Sequence, residues 1–92
     1  MSILATFQKQ PADVQDYDIN FTPYLDSQYD TAHSHEVTAD SGITITSSLS
    51  YGVVKVWVSG GQDGQTYKIS ATLTTTEGRV KQGDIAIVVK ED

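Results

Sequence analysis

Residues 56–69 read VWVSGGQDGQTYKI. The type and spacing of the glycines in this segment come closer to a catalytic motif than those of any other residues in the chain. A glycine-rich loop of this kind can cradle a phosphate, as it does in nucleotide-binding enzymes. A P-loop also requires a lysine after its last glycine and a helix N-terminus behind it. Here Gln65 stands in place of the lysine, and the residues after it alternate as a strand does. The segment therefore favours a turn between two strands.

An acidic run resembles the opening of a calcium loop but does not complete it. Asp16, Asp18 and Asn20 have the spacing of the first three ligands of an EF-hand. That loop then needs glycine at its sixth position and glutamate at its twelfth. Phe21 and Ser27 occupy those positions, so the alternation of a strand explains the run better.

Two histidines have a spacing that can bind zinc from one face of a strand. His33 and His35 are the only histidines in the chain, whereas a zinc site needs at least a third ligand. Serine, histidine and aspartate could also form a triad, but no serine lies in a G-x-S-x-G elbow. We therefore expect no metal, no cofactor and no enzyme activity.

Strands must position all of these residues, because apolar side chains recur at every second position. The pattern predicts strands at residues 16–21, 31–38, 43–49, 53–59, 66–75 and 80–89. Thr22 is a predicted N-cap and Pro23 a first helical position, giving one helical turn through Leu25. Turns are predicted at residues 40–42 and 77–79. Val80 is out of phase with Ile85, so we expect a bulge or bend at Gly83.

This arrangement predicts an all-β fold: an immunoglobulin-like β-sandwich of six to seven antiparallel strands with one short helical turn. We expect residues 13–92 to form a single domain, and residues 1–12 to form an N-terminal arm or an edge strand. Tyr67 stands two residues before the inward position of Ile69. We expect Tyr67 and Gly64 to form a structural corner, in which the tyrosine hydrogen-bonds back to the glycine loop.

Four aromatic residues are candidate partner contacts. If Val54, Val56 and Val58 face inward, Trp57 faces outward, where it could anchor a partner or lie covered by a loop at the rim. The other candidates are Tyr24, Tyr29 and Phe7.

Composition excludes several classes of protein. There is no cysteine, which excludes a disulfide-stabilised fold and a cysteine metal site. No apolar run approaches the length of a membrane span, which argues against a membrane-spanning protein. The first half of the chain has Lys9 alone against seven acidic residues, which argues against nucleic-acid binding. The N-terminus lacks the basic region of a signal peptide, so we expect synthesis in the cytoplasm.

A combination of short motifs resembles small accessory virion proteins of tailed bacteriophages, of the decoration, cement or fibre-tail adaptor type. The resemblance covers nearly the whole chain and rests on these motifs: Phe7-x-Lys9-x-Pro11, Asp16-Tyr17, Phe21, Leu25, W-V-S-G-G at residues 57–61, Gly64-x-Thr66-Tyr67, Gly78-Arg79, and a closing I-x-I-x-V-K.

The resemblance implies a structural protein in the virion that docks on phage capsid, neck or tail proteins, with homo-oligomerisation on the particle left open. It implies no catalytic residues, while the charge distribution and the short apolar runs predict no nucleic-acid or membrane partner. The alternative is a free-standing immunoglobulin-like module that recognises a glycan or a cell-surface protein.

Overall fold

The alternating segments form seven strands and one short helix in the computed structural model, which describes residues 3–91. The first two residues of the predicted N-terminal arm and the last residue of the predicted domain lie outside this range. The elements are β1 (Ile3–Lys9), β2 (Gln15–Asn20), α1 (Thr22–Ser27), β3 (Ala32–Ala39), β4 (Ile43–Ser50), β5 (Val53–Gly60), β6 (Thr66–Thr75) and β7 (Val80–Val89).

The strands form two sheets, which confirms the prediction of an all-β sandwich. One sheet has the order β1-β7-β6-β3 and the other the order β2-β5-β4. β1 pairs parallel to β7, whereas every other pair is antiparallel, as predicted. The parallel pair arises because β1 and β7 start at the same end of the sandwich and are joined through both sheets instead of by a hairpin. Among the described residues, no helix is long and apolar enough to span a membrane.

The core lies between the two sheets and is built from the inward half of each alternating strand. Val54, Val56 and Val58 of β5 are fully buried, and they lie in one core cluster with Ile69 and Ile87 of the facing sheet. Burying one such side chain contributes about 1.5–3 kcal/mol. The period-2 pattern of the sequence thus decides which face of each strand is inside.

The bulge expected at Gly83 is absent from the β6–β7 ladder. Their register runs without a shift, with Ala71 opposite Gly83. Gly83 faces the core, where an added Cβ would lie 2.9 Å from Leu4. Val80 is out of phase because it points outward and is exposed. The register shift instead lies on the neighbouring strand β1, between Ile3 and Ala5.

The helix starts as predicted at Thr22 and Pro23, but Thr22 is not its N-cap. Phe21 holds that position and makes no side-chain cap. The backbone N–H and the hydroxyl of Thr22 both donate to Oδ1 of Asn20, at 2.9 and 2.7 Å. α1 extends through Ser27, about half a turn beyond the predicted end.

The loops gather at two opposite ends of the sandwich. The first, which we call the tyrosine end, consists of residues 21–31, the β4–β5 turn at residues 51–52 and the β6–β7 turn at residues 76–79. The second, the glycine end, consists of residues 10–14, 40–42, 61–65 and 90–91.

Candidate partner-binding surface

Two tyrosines at the tyrosine end are almost wholly exposed. Tyr29 follows α1 and is 97% exposed, and Tyr51 lies in the β4–β5 turn and is 96% exposed. Their backbones have φ of 52° and 49°, and they are the only residues other than glycine with positive φ in the described part of the chain. A bulky side chain in this left-handed region costs free energy and is uncommon.

Tyr29 occupies the position at which a helix usually ends in glycine. The N–H of Tyr29 bonds to the carbonyl of Asp26, and the N–H of Asp30 bonds to the carbonyl of Leu25. These two bonds form a Schellman motif, whose left-handed residue is normally glycine or asparagine. The local backbone therefore does not explain why a tyrosine is present.

Tyr51 stands at the first central position of a two-residue hairpin. Gly52 follows it with φ of 85°, so both central residues have positive φ, as in a type I′ turn. Asparagine or aspartate is preferred at the first position of such a turn. Like Tyr29, Tyr51 exposes a large amphipathic ring at a position where a smaller residue would make the fold more stable.

A groove of about 410 Å³ lies between α1 and the start of β3, and Tyr51 forms part of its wall. Its apolar floor includes Leu25 and Leu49, and Asp26 supplies an exposed carboxylate. The groove therefore combines an aromatic wall with a few polar groups, a composition typical of binding clefts.

A second groove, of about 560 Å³, lies on the other side of α1. Tyr24 lines it, with the Nζ atom of Lys81 located 5.3 Å from the centre of its ring. Leu4 and Val80, which are 61% and 65% exposed, form its apolar wall. Tyr24 therefore belongs to the same end of the sandwich as Tyr29 and Tyr51.

Asp30 fixes the geometry of the tyrosine end. Its carboxylate accepts hydrogen bonds from the backbone N–H groups of Thr31 and Glu77 and from Nη1 of Arg79, at 2.8, 3.3 and 2.8 Å. Burial raises the pKa of Asp30, but hydrogen bonds from Thr75, Thr31, Arg79 and Glu77 outweigh that effect and lower the pKa to about 2. The loop that holds Tyr29 is thereby attached to the β6–β7 hairpin.

The other two aromatic candidates lie elsewhere. Trp57 is in the middle of β5, on the outer face of its sheet, and is 46% exposed. Phe7 is half-buried, and its ring centre lies 4.6 Å from that of Tyr17. The predicted contact residues therefore do not form one surface: Tyr24 and Tyr29 lie together at the tyrosine end, away from Trp57 and Phe7.

The predicted corner residues are at the glycine end. The Tyr67 hydroxyl accepts a hydrogen bond from the backbone N–H of Gln62 at 2.9 Å, and the N–H of Gly64 donates to the carbonyl of Val89. The first bond ties the loop to β6 and the second ties it to the end of β7, and the loop leads into β6 and not into a helix.

The histidines do not share a face of β3, contrary to the sequence prediction. The register shifts between Ala32 and Ser34, so His33 lies in a bulge and is exposed. His35 is opposite Leu73, and its Nε2 is 3.1 Å from the hydroxyl of Ser47. No group of three or more metal-ligating residues occurs within residues 3–91.

Sequence reasoning missed Tyr51. The signal for it was present, since Tyr51-Gly52 separates two alternating runs in the manner of a two-residue hairpin. Recognising that turn would have placed Tyr51 at the tip of a hairpin, where its side chain is exposed to solvent.

The family model described as "Podophage GP4 fiber-tail adaptor protein gp77" matches residues 9–88 of this chain. No curated protein matches it. The match contains β2 to β6 and α1 in full, all of β7 except Val89, and the last residue of β1. The chain therefore belongs to this family of podophage fibre-tail adaptor proteins.

Proposed function

From membership of the fibre-tail adaptor family, we propose that this chain is a structural, non-enzymatic part of a podophage tail. It is made in the host cytoplasm and becomes part of the virion. The family match over residues 9–88 is the observation that carries the proposal. As an adaptor, the protein binds other tail proteins.

The shape of the sandwich is suited to joining two partners. It measures 43 × 22 × 19 Å, and its loops are divided between two ends. An adaptor of this shape can hold one partner at one end and leave the sheet edges along its sides free to pair with a strand of a second partner.

The tyrosine end is the proposed attachment surface for a tail protein. Tyr29 and Tyr51 expose rings at positions where folding favours smaller residues, and Tyr24 adds a third ring beside a groove. Tyrosine is enriched among residues that dominate binding energy at interfaces. A role in binding accounts for side chains that the fold does not require.

The glycine end is less suited to this role because its polar side chains are used internally. Asp13 accepts from the N–H of Gln10, Asp40 from that of Lys68, and Asp63 from that of Glu91. Lys9 is buried and donates to backbone carbonyls of residues 10, 11 and 13. These groups stabilise the loops themselves.

We also infer that the sandwich is of the immunoglobulin-like kind. The order β2-β5-β4 facing β7-β6-β3 corresponds to strands B, E and D facing G, F and C of that fold. Tyr67 at the start of β6 has the position and the backward hydrogen bond of a tyrosine corner.

Binding to tails purified from the phage that encodes the chain tests the attachment surface. Co-sedimentation of the unmodified chain with the tails is compared with that of the double variant Tyr29→Gly, Tyr51→Asn. The variant should lose at least about tenfold in affinity while remaining folded. The control is Glu36→Gln, an exposed residue in the middle of β3, which should bind as the unmodified chain does. Equal binding by all three proteins would contradict a role for the tyrosine end.

A further inference from the structure

The free edge of β4 is unprotected. β4 pairs with β5 along all eight of its residues without a register shift, and within the described chain it is the outer strand of its sheet. Residues 41–54 contain no charged side chain and no proline. Proteins usually protect such an edge with charges, prolines or bulges, because its unpaired N–H and C=O groups accept another strand.

The other three sheet edges carry such protection. β1 has a register shift between Ile3 and Ala5, and β3 has one between Ala32 and Ser34. β2 presents Asp16 and Asp18, which both bind Nζ of Lys55, at 2.9 and 3.1 Å. β4 is thus the edge that remains available for strand addition.

The sequence of β4 is symmetric in residue class about Ser47. Reading outward from Ser47, the neighbours on both sides are polar, then apolar, then polar. The pairs are Thr46 with Ser48, Ile45 with Leu49, and Thr44 with Ser50. When two copies of such a strand pair antiparallel about Ser47, each polar residue lies opposite a polar residue and each apolar residue lies opposite an apolar residue.

We propose that β4 pairs with β4 of a second copy of this chain, antiparallel about a twofold axis through Ser47. The two three-stranded sheets then join into one sheet of six strands. An interface of this type is isologous and closes after two subunits. The uncharged edge allows the two chains to approach although each has a net charge of −6.

Side chains on both faces of the joined sheet support this register. On the outer face, Thr46 lies opposite Ser48 of the second copy, and threonine–serine pairs are favourable across antiparallel strands. On the inner face, Ile45 lies opposite Leu49 of the second copy. Both are only partly buried in the single chain, so pairing removes more of their apolar surface from water.

Cysteine cross-linking tests the register directly, because the chain has no cysteine of its own. Ser47→Cys places the two thiols opposite each other across the axis, within the distance that a disulfide spans. Mild oxidation should convert this variant to a covalent dimer. Thr44→Cys is the matched control, since its two copies lie about 20 Å apart along the strands and should not cross-link. No cross-link at Ser47, or equal cross-linking of both variants, overturns the proposal.

Sedimentation equilibrium of charge variants tests the pairing without oxidation. Thr46→Asp combined with Ser48→Asp sets like charges opposite each other twice and should weaken the dimer about tenfold or more. Thr46→Lys combined with Ser48→Asp sets opposite charges there and should restore it. A rescue that fails, or a chain that stays monomeric up to about 100 μM, contradicts the proposal.

These measurements use the purified chain alone, so their outcome is distinguishable from that of tail binding. A chain that binds tails but never dimerises would refute the β4 pairing and leave the tail role intact. If such a monomeric chain also lost tail binding in the double aspartate variant, the β4 edge would pair with a strand of a tail protein and not with a second copy.

Discussion

The hydroxyl oxygen of Tyr67 accepts a hydrogen bond from the backbone N–H of Gln62, across a distance of 2.9 Å. This bond ties the start of β6 to the loop that precedes it. It also explains the use of the glycines in that loop. Gly61 has φ of 100°, and an added Cβ would lie 3.3 Å from Cε2 of the same tyrosine. The loop therefore packs closely against Tyr67 of the strand that follows it.

Removing the Tyr67 hydroxyl should destabilise the fold. Tyr67→Phe loses one largely buried hydrogen bond, so the free energy of unfolding should fall by about 1 kcal/mol. Tyr17→Phe is the matched control, because the Tyr17 hydroxyl is buried without a hydrogen-bond partner among residues 3–91. That variant should be unchanged or slightly more stable. Urea unfolding of both variants decides the matter, and equal losses would refute the corner.

Two glycines of the same loop should differ in their tolerance of alanine. Gly64→Ala places a Cβ in open space at φ of 86°, so it should cost only the backbone term of about 1 kcal/mol. Gly61→Ala adds a Cβ 2.7 Å from Val89 and should cost about 1–3 kcal/mol more. Thermal unfolding of the two variants measures the difference. If Gly64→Ala proved the more harmful, the packing of this loop would be wrong.

The carboxylate of Asp30 should make stability depend on pH in the acid range. Its pKa is about 2 in the folded protein against an ordinary value of 3.8, so it binds protons less readily when folded. Its stabilisation is therefore complete above pH 3.8 and is lost as pH falls through about 2.

Asp30→Asn should accordingly lower the unfolding midpoint at neutral pH, and the difference from the unmodified chain should shrink towards pH 2. Asp26→Asn, exposed on α1, serves as the control and should leave the midpoint unchanged. Denaturation followed at several pH values measures both. A difference that stays constant from pH 7 to pH 2 would contradict the bonded carboxylate.

Replacing the exposed tyrosines should not harm the fold. Tyr29→Gly and Tyr51→Asn each introduce a residue that favours the left-handed backbone found there. Each variant should be between unchanged and about 1 kcal/mol more stable. Chemical denaturation is the measurement. A marked loss of stability would mean that the rings have a structural role, which would remove the argument for a binding surface.

Much of the fold follows from the sequence because its strands are half buried. Alternation in β5 and β6 identifies both the strands and their inward faces, since each has one face in the core. The parallel placement of β1 could not be read in this way, because it depends on β7, which lies far away in sequence. The bulge at His33 could not be predicted either, since the alternation of polar and apolar residues around it gives no sign of an extra residue in the strand.

The candidate surface was only partly predictable. Tyr24 and Tyr29 could be named as candidate contacts from their place after β2, whereas their exposure and their association with Tyr51 depend on how the chain folds. The contact roles of Trp57 and Phe7 stay predictions. Phe7 is packed against Tyr17, and Trp57 projects from the middle of a sheet.

The most direct test of the tail role is the location and copy number of the chain in the particle. Particles of the phage that encodes it are separated into capsids and tails, and quantitative mass spectrometry gives copies per particle in each fraction. A tail adaptor should occur in the tail fraction, in a symmetry-related number of about six or twelve. Hundreds of copies in the capsid fraction, or absence from the particle, would contradict the proposed function.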